Sequence, residues 1–402
     1  MKRVLISIFA NAFFSLLMIN SLSAQVDDKM IQKYLDEYLK TGDQQLVEKI
    51  KQEVPDSKYY KFCEAYEHLD RDNEKGLSLS RKLVKDFPDF AEANFALGTF
   101  IINGANKFDS AIFYLNRAIE LKPDFASAFF NRGIAEINIE MYGSANYDFN
   151  KVIEEDSVNA GAHLMRAVSE FMLNNLSPMV ADMEIAVRID PYVLSDYYFL
   201  QVRKTIDKAI ELAPENVDLI VARGYANYKS AYFRLAVNDF ATAIKLAPGN
   251  YEYYKMIGVC KIYLNDTITA ESNLKTALEM NPRDGEIYYF LGLYSGDLLG
   301  QPGKSIEYLN RAIEVDSTNP LYYYQRALTS YNLYKYEAAL PDIDKAIDLD
   351  SQNGDYYSLR ALVTLDGDLK TNNDYCKDFR TAEALRTDYN IEIYLSKFCQ
   401  NK

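Results

Sequence analysis

The sequence predicts an all-α protein, a solenoid of tandem helical hairpins, and three observations lead there. A marker position held by Pro or Ser recurs at Pro123, Ser157, Pro191, Pro214, Pro248, Pro282, Ser317 and Ser351, with successive spacings of 34, 34, 23, 34, 34, 35 and 34 residues. Self-similarity at a fixed period of roughly 20 to 50 residues is the signature of a repeat array. Within each period, two apolar stripes at helical spacing flank a short turn. Composition agrees: 402 residues, 49% hydrophobic, with 33 Tyr, no Trp, 17 Gly and 11 Pro, suit a long helical array better than a sheet protein or a disordered chain.

The clearest unit is Phe129 to Ser157, FFNRGIAEINIEMYGSANYDFNKVIEEDS. Small residues recur in its first helix, helix A, at Gly98, Gly133, Ala167, Gly224, Gly258, Gly292, Ala327 and Ala361. A second series marks helix B at Ala118, Val152, Ala186, Ala209, Ala243, Ala277, Ala312, Ala346 and Ala382. A 34-residue unit with these markers resembles the tetratricopeptide repeat (TPR) family, and the match runs from about Ser57 to Leu385. The resemblance implies a right-handed superhelix of A and B helices. It is similar in particular to exported bacterial envelope proteins of that family. The chain departs from the pattern in lacking the usual Trp of helix A, and the unit beginning near Ser57 is degenerate.

Residues 1–24 read as a secretory signal peptide: Lys2 and Arg3, an apolar run from Val4 to Ile19, then Ser21-Leu22-Ser23-Ala24 before Gln25. The run is 16 residues long and contains Asn11, short of the roughly 20 a stable span needs. The competing reading is an uncleaved anchor; no later stretch is apolar enough to span a membrane. Residues 25–55 form an N-terminal capping hairpin, with Ile31, Tyr34, Leu35, Tyr38 and Leu39 on one face, Leu46, Val47 and Ile50 on the next, and Thr41-Gly42-Asp43 as the turn. Such a unit covers the apolar end of a solenoid. Residues 56–190 and 215–385 are two repeat blocks, whose hairpin turns are expected at Asn103-Gly104, Met141-Tyr142-Gly143, Asn174-Asn175, Asn265-Asp266 and Leu299 to Gly303.

Charged positions vary together across the units. Arg132, Arg166, Arg223, Arg326 and Arg360 precede the small residue of helix A, and Asp148, Asp182, Asp239, Asp342 and Asp378 occupy one position of helix B in the same units. Where helix A has Leu97, Ile257 or Leu291 instead, helix B has Tyr114, Asn273 or Tyr308. The covariation points to structural Arg–Asp pairs within each hairpin, because a half-buried guanidinium requires a counter-charge. A row of ligand-binding arginines is the alternative.

Between Pro191 and Pro214 the period falls to 23 residues, so residues 191–214 are a truncated repeat in which Val193 to Leu212 is expected to run as one helix. A deletion absorbed by its neighbours and a functional hinge or docking kink both fit that break. Residues 386–402 are expected to add a C-terminal capping helix, Asp388 to Gln400, antiparallel to the helix before it. That places Cys376 and Cys399 level, as a disulfide staple or as two buried thiols. Cys63 and Cys260 read as small core residues.

Little here suggests chemistry. The two histidines, His68 and His163, stand far apart, and His163 falls at a packing position of the resembled family. No phosphate loop, metal motif or nucleophile elbow occurs, so no catalytic residue, cofactor or metal is called for and the chain reads as a non-enzyme. The net charge of −14, or −16 without Lys2 and Arg3, argues against nucleic acid as partner.

The resemblance also implies that positions three before, one after and four after the small residue of helix A line a concave wall. The residues so placed include Phe95, Phe130, Val221, Tyr225, Tyr228, Lys255, Tyr289 and Tyr324. The wall is apolar and aromatic, with Lys255 almost alone, which disfavours the subtype that clamps a terminal carboxylate. The expected function is a scaffold or adaptor that binds a protein or peptide there, periplasmic or secreted. Capture of a glycan or small hydrophobic ligand, and self-association through the array ends, are the alternatives.

Overall fold

The computed structural model describes residues 28–69, 72–105, 107–196, 200–369, 374–385, 387 and 389–399, and contains no strand among them. The proposed leader, residues 1–24, lies outside the described residues. The chain divides into two compact units, unit 1 ending at Ile189 and unit 2 beginning at Asp190, where the period breaks.

Unit 1 opens with helix α1, residues 28–41, and α2, Gln44–Glu53. The turn between them places Gly42 at φ +69°, and Asp43 caps α2 by accepting from the Gln45 amide. Four hairpins follow: α3 (Lys58–Tyr66) with α4 (Asn73–Asp86), α5 (Ala91–Ala105) with α6 (Phe108–Leu121), α7 (Ala126–Asn138) with α8 (Tyr142–Glu155), and α9 (Ala160–Met172) with α10 (Leu176–Ile189). Ile31, Leu35, Leu46 and Ile50 bury against the first repeats, which closes the apolar end of the array.

Unit 2 begins with α11 (Val193–Asp196) and α12 (Leu200–Leu212). The single helix expected there is helical over both stretches; residues 197–199, on which its continuity depends, lie outside the described residues. The hairpins then resume as α13 (Val217–Lys229) with α14 (Phe233–Leu246), α15 (Tyr251–Tyr263) with α16 (Thr267–Met280), α17 (Gly285–Leu293) with α18 (Pro302–Val315), α19 (Pro320–Asn332) with α20 (Tyr336–Leu349), and α21 (Gly354–Asp366) with α22 (Tyr375–Ala384). A short α23 (Glu392–Phe398) ends the array.

Local chemistry explains the repeated breaks. Helix B ends two residues before the Pro or Ser marker, and two residues after that marker Asn159, Asn216, Asn250, Asp284, Asn319 and Asn353 cap the next helix A through side-chain bonds to its first amides. The small residue of helix A lets helix B approach: a Cβ on Gly98 would stand 2.7 Å from the Leu115 side chain, and one on Gly133 would stand 2.7 Å from the Phe149 ring.

In the seven hairpins from α7–α8 onward the turn carries one left-handed residue, in sequence Glu140, Asn174, Ala231, Asn265, Gly300, Tyr334 and Asp368. Two expected turns move. Asn103 and Gly104 lie inside α5, and Tyr142 with Gly143 opens α8, the turn being made at Glu140. The one unit with a spacing of 35 absorbs its extra residue as a π-helical turn, Tyr294–Leu298, at the end of α17.

The terminal helix starts four residues later than expected. The Tyr389 amide donates to the Thr387 hydroxyl, which itself donates to Asp355, and this side-chain capture competes with a helical turn there. Cys376, in the first turn of α22, is bridged to Cys399, just past α23, with an S–S distance of 2.02 Å. Cys63 and Cys260 are free and buried, and burial pushes each thiol up to about 12.

Candidate functional site

Two constellations of side chains stand out, and the first, which recurs along the array, is structural. Each of the five arginines makes a fork on its own hairpin's aspartate: in Arg132 the Nε and Nη2 donate to Asp148 at 2.7 Å each, and Arg166, Arg326 and Arg360 repeat this on Asp182, Asp342 and Asp378. Arg223 reaches Asp239 at 2.6 to 3.2 Å. Sequence reasoning missed the third contact. The remaining Nη1 donates to a residue 16 positions earlier, on helix B of the preceding hairpin: Asn116, Asn150, Asp207, Asn310 and Asp344.

The signal for that contact was present. Sixteen residues before Leu97, Ile257 and Leu291 stand Arg81, Ala241 and Lys275, none of them a side-chain acceptor. Each guanidinium thus ties two successive hairpins together, and its donors face protein acceptors rather than a ligand. His163 belongs to the same system, its Nδ1 lying 3.1 Å from Asp182.

In unit 1 one buried acid stands beside this ladder. Glu136 is 6% exposed, lies 4.0 Å from the Arg132 Nε, and has no partner for its Oε2 among the described residues. Burial, together with Asp148 nearby, pushes its carboxyl up to about 7, against the pull of Arg132. The equivalent residue in unit 2 is Asn227, whose amide donates to Asp239 at 2.9 Å.

The second constellation is a cavity of about 270 Å³ in unit 2, formed between Tyr192 and the helices α13, α15 and α17. Tyr192, Tyr225, Tyr228 and Phe290 supply its aromatic lining, Met256 and Val259 its floor, and Glu252, Lys255, Glu286 and Lys229 its charges. The Tyr192 and Tyr225 rings lie 4.5 Å apart, and Tyr225 packs edge-on against Phe240 in the core. Burial first, then the charge of Glu252, holds the Tyr225 hydroxyl well above the usual tyrosine range.

Lys255 lines this cavity, but its ammonium does not stand free. It is 5% exposed, and its ammonium meets Glu252 at 2.9 Å, Asp284 at 3.1 Å and Glu286 at 2.7 Å. Burial opposes its charge, but the bonds to Glu286 and Glu252 outweigh it and raise its pKa above that of an ordinary lysine. Three donors are spent on three carboxylates, so the ammonium has none left for a ligand.

The other expected wall residues divide. The structure brings Tyr225, Tyr228 and Lys255 together at the cavity. Phe95 belongs to the core instead, 1% exposed and 4.9 Å from the Phe125 ring, because the neighbouring hairpins close over it. Val221 is likewise buried, and Phe130 is half-buried edge-on to Phe149. Tyr289 packs between Phe290 and Tyr322, and the Tyr324 hydroxyl lies 2.9 Å from that of Tyr389, so neither faces the cavity.

Sequence reasoning missed Tyr192, Phe290, Glu252 and Glu286. Tyr192 follows the marker at the period break. Glu252 and Glu286 share one repeat position, two residues past the cap of helix A, where an acid also serves the helix N-terminus and so drew no notice.

The tetratricopeptide repeat profile matches residues 103–125 and 285–319. With the hairpin geometry above, the chain is a tetratricopeptide repeat protein and an α-solenoid. It is similar to the UDP-N-acetylglucosamine–peptide N-acetylglucosaminyltransferase of Giardia intestinalis, 29% identical over 145 residues, covering 35% of this chain and 10% of that protein. It is also similar to human serine/threonine-protein phosphatase 5, 32% identical over 88 residues, covering 22% of this chain and 18% of that protein. The chain therefore spans less than a fifth of the length of these relatives. Among solved structures, yeast Tom70 aligns with 14% identity over 89% of this chain and 96% of that one, at a TM-score of 0.40.

Proposed function

We propose that this tetratricopeptide repeat chain is a non-enzymatic scaffold that holds an extended or helical segment of a partner protein against the helix A wall of unit 2, in the cell envelope or outside the cell. One observation carries the reading: the cavity bounded by Tyr192, Tyr225, Tyr228 and Phe290 is concave, aromatic and provided with unspent acceptors. Tyr192, 48% exposed, presents a large rigid ring at its rim, the kind of side chain that dominates contact energy in protein interfaces. The envelope location is supported by the basic, apolar and small-residue succession of residues 1–24.

The test is position-specific photo-crosslinking in the source cells. A photoreactive phenylalanine analogue replaces Tyr192 in one variant and Tyr147, an exposed residue of unit 1, in another. A protein adduct specific to the Tyr192 variant supports the reading. Identical adducts at both positions, or none at either, reject it. N-terminal sequencing of exported chain beginning at Gln25 would support cleavage and export, whereas Met1 recovered from a membrane fraction would favour an anchor.

A further inference from the structure

We propose that the cavity in unit 2 receives a lysine or arginine side chain of the bound segment. This rests on the peptide-binding reading above and names the chemistry of the residue that enters. The charges around the cavity do not cancel. Glu252, Glu286 and Asp284 converge on the single ammonium of Lys255, and Lys229 at the rim is the second cation. The lining itself carries two carboxylates and two ammonium groups, and Asp284, behind Lys255, adds a third negative charge.

Acceptor capacity is also in surplus. An ionised carboxylate has about four acceptor positions, and Lys255 takes one on each of the three acids. The Tyr225 hydroxyl takes one more on Glu252, at 3.4 Å. Glu286 keeps 55% of its side chain exposed and so can meet an incoming donor without unfolding anything.

Each alternative occupant fits worse. A carboxylate would meet only the exposed rim ammonium of Lys229, since that of Lys255 is spent, and would stand beside Glu252 and Glu286. A neutral apolar side chain would strip water from Glu286 and Glu252 and give nothing back. A basic side chain satisfies both halves of the lining at once. Its charged head completes the acceptors, while its stem and planar or ammonium face lie against the rings of Tyr192, Tyr228 and Phe290, where cations are attracted to aromatic faces. The overall charge of −14 draws such partners from a distance as well.

The experiment selects phage-displayed random heptapeptides on three immobilised proteins: the wild-type chain, Glu252→Gln/Glu286→Gln, and Glu337→Gln/Asp348→Asn. The last makes the same change of charge at two exposed acids away from the cavity. Wild type and the remote variant should enrich Lys or Arg at one fixed position among apolar neighbours. By fluorescence anisotropy, a selected peptide should bind the cavity variant about tenfold more weakly. Replacing its basic residue by Met should weaken binding to wild type by a similar factor and leave binding to the cavity variant unchanged. Glu286→Gln alone, at a half-exposed position, should show the same trend if the double variant melts early.

A fixed position that selects uncharged or acidic residues overturns the proposal. So does a basic preference that survives Glu252→Gln/Glu286→Gln or that is equally lost in the remote variant. Failure to enrich any peptide on wild type rejects peptide binding itself, and the two failures are thereby distinguished.

Discussion

Units 1 and 2 are built from the same hairpin, yet their helix A walls are lined by different side chains. In unit 1 the wall positions Phe95, Thr99, Leu164 and Val168 are buried and Phe130 is half-buried against Phe149, so most of the stripe packs as core. In unit 2 the same positions hold Tyr225, Tyr228 and Lys255, and the buried ends of Tyr225 and Lys255 are met by carboxylates of the same wall, Glu252, Asp284 and Glu286. Tyrosine and lysine bury their stems and keep a polar end that must be met. The same backbone therefore carries apolar packing in one unit and a cavity with polar and charged ends in the other.

The sharpest way to break this comparison is at the ladder, which both units share. Asp239→Ala in unit 2 and Asp148→Ala in unit 1 each remove the buried counter-charge of an arginine fork, Arg223 keeping only its exposed partner Asp207, and each should cost about 3 to 5 kcal/mol. In each unit the Arg→Ala/Asp→Ala double variant should cost less than the sum of the single changes. Urea unfolding followed by unit-resolved hydrogen exchange reads both quantities; additive costs would remove the paired-charge account, and costs that differ widely between units would end the equivalence.

Next come two effects that the units do not share. Glu136 is protonated in the folded unit 1 up to about pH 7, whereas an unfolded glutamate ionises near pH 4.3. Below the unfolded pKa both states are neutral and nothing is lost. As pH rises through that window the unfolded state ionises first, so stability falls until the folded carboxyl also titrates. Glu136→Gln should therefore stabilise by about 3 kcal/mol at pH 8 and by almost nothing at pH 4. Asn227→Glu should import the same pH dependence into unit 2; denaturant midpoints across that range decide it. Unit 2 alone has the staple, and Cys376→Ser/Cys399→Ser should remove about 3 kcal/mol from its C-terminal cap, given the 23-residue separation. Non-reducing peptide mapping of wild type checks the bridge itself.

The smallest effect should be common to both units again. Glu140 and Ala231 hold left-handed conformations that glycine adopts without steric cost, so Glu140→Gly and Ala231→Gly should each gain about 0.5 to 1 kcal/mol. Gly300→Ala should lose about as much, and thermal melts of the three variants would test the series.

Much of this was legible in the chain. The Pro and Ser markers recur at the helix breaks, and after six of the eight an Asn or Asp stands two residues on and caps the next helix. The Arg–Asp covariation announces the ladder, since a half-buried guanidinium demands a counter-charge in its own hairpin. The turns at Glu140, Ala231 and Tyr334 were hidden, because nothing in a glutamate, alanine or tyrosine marks a left-handed residue. The carboxylates that surround Lys255 were hidden for a related reason. Its partners Asp284 and Glu286 stand about one repeat further along, and their acids looked like ordinary helix starts.

The sequence by itself determined the period, the two helices of each unit, the residues that let them approach and the charges that pin them. Those features depend on contacts within one repeat or its immediate neighbour, at spacings that recur and can be read. Only the tertiary structure decided which wall positions are core and which face a cavity. Burial at Phe95 or Tyr225 is set by the volume and polarity of side chains that the adjoining hairpins bring over it, and the hydrophobic effect responds to that local enclosure rather than to residue type.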